Sequence, residues 1–326
     1  MSPKVRARYL CGLTLALSAF ICMPAGQVFS QDSTEYENGE DLTDDVSRAD
    51  LFERIRSETL AEDPSADDTK WFNLWGPFAF PNDAIFDIAE GKKRTDSFFV
   101  ADISHYTDLA IPLDSFAEKK IRAVYVKASQ KKGRDSKFVA FWKALGDLDG
   151  AQRVHRGAYH FLSAKFSAAD QCKFFSDILD TNKLRATDLP PVVDFEWDIR
   201  KVNGPDAWEG MPPKEMVKAL VDCLEVVEQQ TGRKPIVYTA VSFLNDRHID
   251  KNAYAPLAKY KVWIADYSKK SRASEVPRTL GDMKAPLWQF TDKAKLAVGF
   301  SKGFDASIFK GSEDAFYEEL DVERFK

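Results

Sequence analysis

The sequence is poor in the residues that hold metals. Four cysteines and four histidines are scattered through 326 residues, with no CxxC pair and no His/Cys cluster, so nothing in it calls for a metal or another cofactor. It also lacks a basic excess. The formal net charge is −5 at pH 7, which argues against a nucleic-acid partner. Long apolar runs are absent too. The run from Tyr9 to about Met23 falls short of the roughly 20 residues that a membrane-spanning helix needs.

That short run has the flanks of a removable export signal. Lys4, Arg6 and Arg8 precede it, and Val28 and Ser30 are small enough for a cleavage site before Gln31. Residues 1–30 therefore read as a signal peptide that delivers the chain to the periplasm or outside the cell, with an uncleaved anchor as the alternative. Cys11 and Cys22 leave with it. The mature chain keeps Cys172 and Cys223, each in a predicted helix. In an oxidising compartment the two can pair, or they are two small buried apolar residues. They are expected to lie close together, since their helices flank one strand.

Charge is unevenly distributed. The first thirty residues hold three bases and no acids, and Asp32 to Thr69 hold fourteen acids against three bases, so a total of −5 leaves +3 for residues 70–326. Residues 31–70 read as an acidic, solvated linker with a short helix near Leu51–Leu60. At Trp71 the composition turns aromatic (WFNLWGPFAF), as expected of a segment that packs on the domain that follows. The mildly basic remainder suits an anionic polymer.

Beyond that point strand-like and helix-like segments alternate. The strands are FFVADIS (98–104), AVYVKAS (123–129), RGAYHF (156–161), PPVVDFEW (190–197), KPIVYTA (234–240), KVWIADY (261–267), APLWQFT (285–291) and GFDASIF (303–309). Helices are predicted at LDSFAEKK, SKFVAFWKAL, AADQCKFFSDIL and PKEMVKALVDCLEVVEQQTG. The last has apolar residues at Met216, Leu220, Val221, Leu224 and Val227 and ends at Gly232 and Pro235. This is the pattern of parallel βαβ units, and eight strands point to a closed barrel. The last three connections are too short or irregular for full helices. The fold class is α/β, a single TIM-barrel-like domain over residues 71–326.

In such barrels chemistry sits at the C-terminal strand ends. PPVVDFEWD places Asp194 and Glu196 there, two apart on one strand, hence on the same face and roughly 6.5–7 Å apart. Asp102 ends the first strand and Asp305 lies in the last. Carboxylates crowded at one mouth push their pKa values apart, so one can hold a proton while its neighbour is ionised. That is the requirement for cutting a glycosidic bond. On this reasoning Glu196 has the raised pKa and Asp194 is the more readily ionised partner. Tyr159, Tyr267 and Trp288 stand near strand ends, where flat rings either stack on sugars or fill the core. His160 follows Tyr159, faces the other way and reads as structural.

From ADISHY through VKAS, GRDSKF, GAYHF, PPVVDFEW, KPIVYT and VWIADY to PLWQFT, residues 98–310 resemble the glycoside hydrolase 25 lysozymes, the Chalaropsis-type muramidases. The resemblance implies a flattened barrel of five βα units followed by three strands. It implies hydrolysis of the β-1,4 bond between N-acetylmuramic acid and N-acetylglucosamine, with peptidoglycan glycan strands as the partner, no cofactor and a monomer. Glu196 matches the family's proton donor. Asp194 matches the acid that stabilises or orients the reacting sugar, whose 2-acetamido group is a candidate nucleophile. Asp102 and Asp305 match supporting acids. Three positions depart from the pattern. The glutamate of the family's KATEG segment is Gln130, the glutamine after its first strand is replaced within HYTD, and the asparagine of its final DxN is Ser307. The changes at Gln130 and Ser307 keep a catalytically inactive, carbohydrate-binding barrel open as an alternative. A chitinase-like glycosidase is a further one, though its longer acid series would need an acid at Val192.

Overall fold

The structure is a computed structural model, and it describes residues 78–87, 91–199 and 204–326. The export segment, the acidic linker and the start of the aromatic stretch, Trp71–Pro77, lie outside the described residues.

The eight expected strands all form: β1 Ser97–Ile103, β2 Ile121–Gln130, β3 His155–Phe161, β4 Val192–Asp194, β5 Ile236–Ala240, β6 Lys261–Ala265, β7 Leu287–Leu296 and β8 Phe304–Lys310. They pair in chain order. β1 to β7 run parallel, and β8 runs antiparallel to both β7 and β1, which closes the barrel. The last strand thus breaks the all-parallel rule of a TIM barrel, because the turn of residues 297–303 is too short for a crossover helix. A two-residue strand, Ala79–Phe80, adds to β7 at Lys295 and Leu296. Its neighbour Phe78 and Phe80 itself pack on Phe99 at 5.2 and 5.4 Å, so the end of the aromatic stretch does dock on the barrel.

Three helices cover the early crossovers: α1 Phe138–Gly146, α2 Ala168–Thr181 and α3 Pro213–Thr231. The Ser167 side chain caps α2 by accepting from the Asp170 amide. α3 starts on Pro213 and ends at Gly232 in the left-handed conformation, φ 69°. Its apolar positions Met216, Leu220, Cys223, Leu224 and Val227 are buried. Cys172 on α2 and Cys223 on α3 are bonded, with Cα atoms 5.3 Å apart, which resolves the choice left open by the sequence. The bond ties together the two helices that flank β4.

The segment expected as a helix between β1 and β2 is only a turn of 3-10 helix, Leu113–Ser115. Leu113, Phe116 and Ile121 must all reach the core within nine residues, and Lys120 takes φ 72° to turn the chain directly into β2. Late connections hold short helices, Val241–Asp246, Lys251–Tyr254 and Lys269–Ser274, as the sequence implied. A C-terminal helix, Glu313–Glu319, was not expected; Ser312 caps it, and Phe316 anchors it on Phe98 and Phe309.

One glycine explains a motif. A side chain at Gly157 would meet the Tyr125 ring at 2.3 Å. Its absence lets that ring fill the barrel axis, where it stacks on Trp263 at 4.9 Å and donates to the Pro190 carbonyl at 3.2 Å. The glycine of GAYHF is therefore a packing requirement directly beneath the mouth.

Candidate active site

β4 enters the barrel on apolar residues and ends on acids. Val192, Asp194 and Glu196 share one face and line a single cavity. Asp102 from β1 and Asp305 from β8 line the same cavity, and the two are directly paired across the antiparallel β1–β8 ladder. The four acids picked out in the sequence are thus brought together. All four are buried.

The loop after β4 fixes Glu196 from behind. The Trp208 indole N–H donates to the Glu196 carbonyl oxygen at 2.9 Å, and Trp208 packs edge-on against Phe195. Asp206 accepts from the Asp198 amide at 2.8 Å and pairs with Arg247 at 2.9 Å, which locks that loop onto the next crossover.

Asp194 differs from expectation. Burial holds its carboxyl well above the usual carboxylate range, the nearby Lys127 cation pulls it down, and the Asp102 charge pushes it up again. Its Oδ1 makes no hydrogen bond among the described residues. The sequence could not weigh this, because the burial comes from strands remote in the chain.

Lys127 is itself buried in the wall of the cavity, and its Nζ donates to Gln130 Oε1 at 2.7 Å. These two residues are three apart, yet both face the cavity. A bulge at Ala128 makes this possible, since the β2–β3 register slips between Lys127 and Ser129. The slip turns Gln130 inward and Ser129 outward, where its hydroxyl meets His160 Nδ1 at 2.9 Å. His160 also contacts Gln171 at 3.1 Å on α2, and burial pushes its pKa down to about 3, so it is a neutral, structural residue.

The aromatic candidates separate. Tyr159 lines the cavity. Tyr267 instead holds Gln289 with its hydroxyl, and the same amide bonds Asp102. Trp288 is a correction: it points away from the acids into a cleft lined by Phe78, Phe99 and Phe290, and its N–H donates to the Asp266 carbonyl at 2.9 Å. Strand alternation accounts for this. If Gln289 faces in, Trp288 must face out.

Gln289 is one of several residues that sequence reasoning missed, with Lys127, Tyr238 and Trp263. Its Oε1 accepts from the hydroxyls of Tyr238, at 2.8 Å, and Tyr267, and its Nε2 donates to Asp102 Oδ2 at 2.9 Å. Burial, then the charges of the surrounding acids, lifts both tyrosines well above their ordinary pKa, so they remain donors. Trp263 lines the cavity as well, and its N–H donates to Ser307 Oγ at 2.9 Å. The departure at Ser307 therefore keeps a hydrogen-bond acceptor for a wall residue. Clues to these residues lay inside the quoted motifs: the lysine of VKAS, the glutamine of PLWQFT and the tyrosine of KPIVYT.

Lys127 gives the site a testable pH dependence. Replacing it with Met removes the charge that opposes the rise in the pKa of Asp194. If ionised Asp194 is needed for turnover, activity rises as pH passes upward through its pKa, so the acidic limb of kcat/KM should move to higher pH in Lys127→Met. A limb that stays in place would show that Lys127 does not tune Asp194.

Comparison with known proteins finds a family match over most of the barrel. Residues 101–298 match the model of glycosyl hydrolases family 25. Among curated proteins, the uncharacterized protein YegX of Escherichia coli O157:H7 is 26% identical over 196 residues, 60% of this chain and 61% of YegX. The match thus spans less than two thirds of that relative. Among solved structures, the lysozyme of Streptomyces coelicolor superposes with a TM-score of 0.57 at 21% identity, over 70% of this chain and 99% of that one. The spore cortex lytic enzyme SleM of Clostridium perfringens gives 0.53 at 25% identity, over 69% and 70%.

Proposed function

The chain belongs to glycosyl hydrolases family 25, and from that premise we propose that it is a muramidase, cleaving the β-1,4 bond between N-acetylmuramic acid and N-acetylglucosamine in peptidoglycan. The observation that carries the reading is the meeting of Asp102, Asp194, Glu196 and Asp305 in one cavity at the mouth of the barrel. Glu196 donates a proton to the leaving glycosidic oxygen. Asp194 faces the reacting sugar. A carboxylate in so dry a place gains most when positive charge develops beside it, so its stabilising effect falls on the transition state rather than on the bound substrate. Asp102, held by Gln289, adds to the negative field. Tyr159 and Trp263 supply aromatic surface for the sugar rings.

A chitinase-like reading is disfavoured by Val192, an apolar residue facing the cavity two positions before Asp194. The inactive-barrel reading draws on the changes at Gln130 and Ser307. Incubation of the mature protein with purified peptidoglycan separates these readings. A muramidase creates new reducing ends, whereas a binding barrel retains glycan without creating any.

Export fits this substrate. The basic start and apolar run of residues 1–30 support delivery beyond the cytoplasmic membrane, and the Cys172–Cys223 bond suits an oxidising compartment. Sequencing of the exported chain should read from near Gln31. A mature protein that retains Met1 would contradict export by cleavage.

A further inference from the structure

Gln130 presents a buried amide nitrogen with no partner among the described residues. Its orientation is forced. Lys127 has only donors to offer, so the oxygen of the Gln130 carboxamide must face the ammonium, as it does at 2.7 Å. Nε2 is then directed elsewhere, and it has no acceptor among the described residues, although the side chain is 1% exposed. A buried, unpaired N–H of this kind costs stability unless a ligand completes it. Gln130 lines the same cavity as the four acids.

Its position relative to Asp194 is set by the sheet. Gln130 pairs with Phe161, and Phe161 pairs with Asp194. The two residues thus lie two strands apart on one rung of the barrel, about 9–10 Å along its wall. On one side of this span stand groups that, when ionised, only accept hydrogen bonds; on the other stands a donor. Phe161 forms apolar wall between them, and Val192 lies below Asp194 on its strand. The donor is also strengthened, because the ammonium bound to Oε1 polarises the carboxamide.

We infer that Gln130 determines specificity by donating to the carbonyl oxygen of an N-acyl group on the bound sugar. This rests on the muramidase reading and names the feature of the glycan that the site selects. Sugar hydroxyls and amide N–H groups bring hydrogens, which the carboxylates can accept. An acyl carbonyl brings none and needs a donor. Glutamate at this position would pair with Lys127 and offer acceptors only, so the change to glutamine converts this corner from accepting to donating.

The test is binding by calorimetry, in a Glu196→Gln background so that nothing is cleaved. Two probes are used: a tetrasaccharide of alternating N-acetylglucosamine and N-acetylmuramic acid, and the same tetrasaccharide with its amines deacetylated. Adding Gln130→Leu should weaken the acetylated probe about tenfold, the scale of one hydrogen bond, and leave the affinity for the deacetylated probe within about twofold. Gln130→Glu keeps the bond to Lys127 but loses the donor, and should act likewise. It serves as the second variant if leucine disturbs folding. Equal weakening of both probes, or of neither, overturns the assignment of Gln130 alone. If the parent binds neither probe, the muramidase reading falls and takes this inference with it.

Discussion

Glu196→Gln should lower the rate of peptidoglycan cleavage at least about a hundredfold, the usual worth of general acid catalysis, while leaving the fold intact. Glutamine preserves the shape and the backbone anchorage, since the hydrogen bond from Trp208 goes to the main-chain carbonyl rather than to the side chain. What is lost is the transferable proton. The loss should appear in kcat with little change in KM, because the missing interaction forms only as the glycosidic bond breaks. Wild-type turnover by Glu196→Gln would refute the assignment of the donor.

Asp194→Asn should also be severe, by a comparable factor, but with a distinctive pH signature. Asparagine resembles the protonated form of Asp194, the form that burial favours. As pH falls and Asp194 takes up its proton, wild-type activity should decline towards that of the variant. The same substitution should affect stability in the opposite direction. The folded-state pKa of Asp194 is raised above its unfolded value of about 3.9, so the folded protein binds the extra proton more tightly. The stability this contributes is complete below the unfolded pKa and is lost as pH rises through the folded one. Asp194→Asn escapes that loss. Its stability relative to wild type should therefore grow as pH rises from about 4 through the folded pKa, measured by denaturant unfolding at a series of pH values. A difference that is flat with pH would show that Asp194 is not held protonated in the fold.

The barrel was legible because its strands are short apolar runs with regular crossovers, a local signal. The grouping of Asp102, Asp194, Glu196 and Asp305 was legible for the same reason, since strand ends in a closed barrel converge. What escaped depends on contacts between remote segments. Trp288 and Gln289 are adjacent and both fit a strand end, and only the interior neighbours Tyr238, Tyr267 and Asp102 settle which of them faces in. Alternation along VKASQ would have placed Gln130 on the face opposite Lys127, and the bulge at Ala128 reverses that. The protonation preference of Asp194 reflects burial by several strands at once. The helix expected at LDSFAEKK failed because its apolar residues serve a tight turn into β2.

The central claim is tested most directly by identifying the sugar at each new reducing end. Peptidoglycan is digested with the wild-type protein, the products are reduced with borohydride, and the reduced sugars are identified by mass spectrometry. A muramidase leaves reduced N-acetylmuramic acid at the new ends, and that is the result expected here. Reduced N-acetylglucosamine at those ends, or no new ends at all, would contradict it.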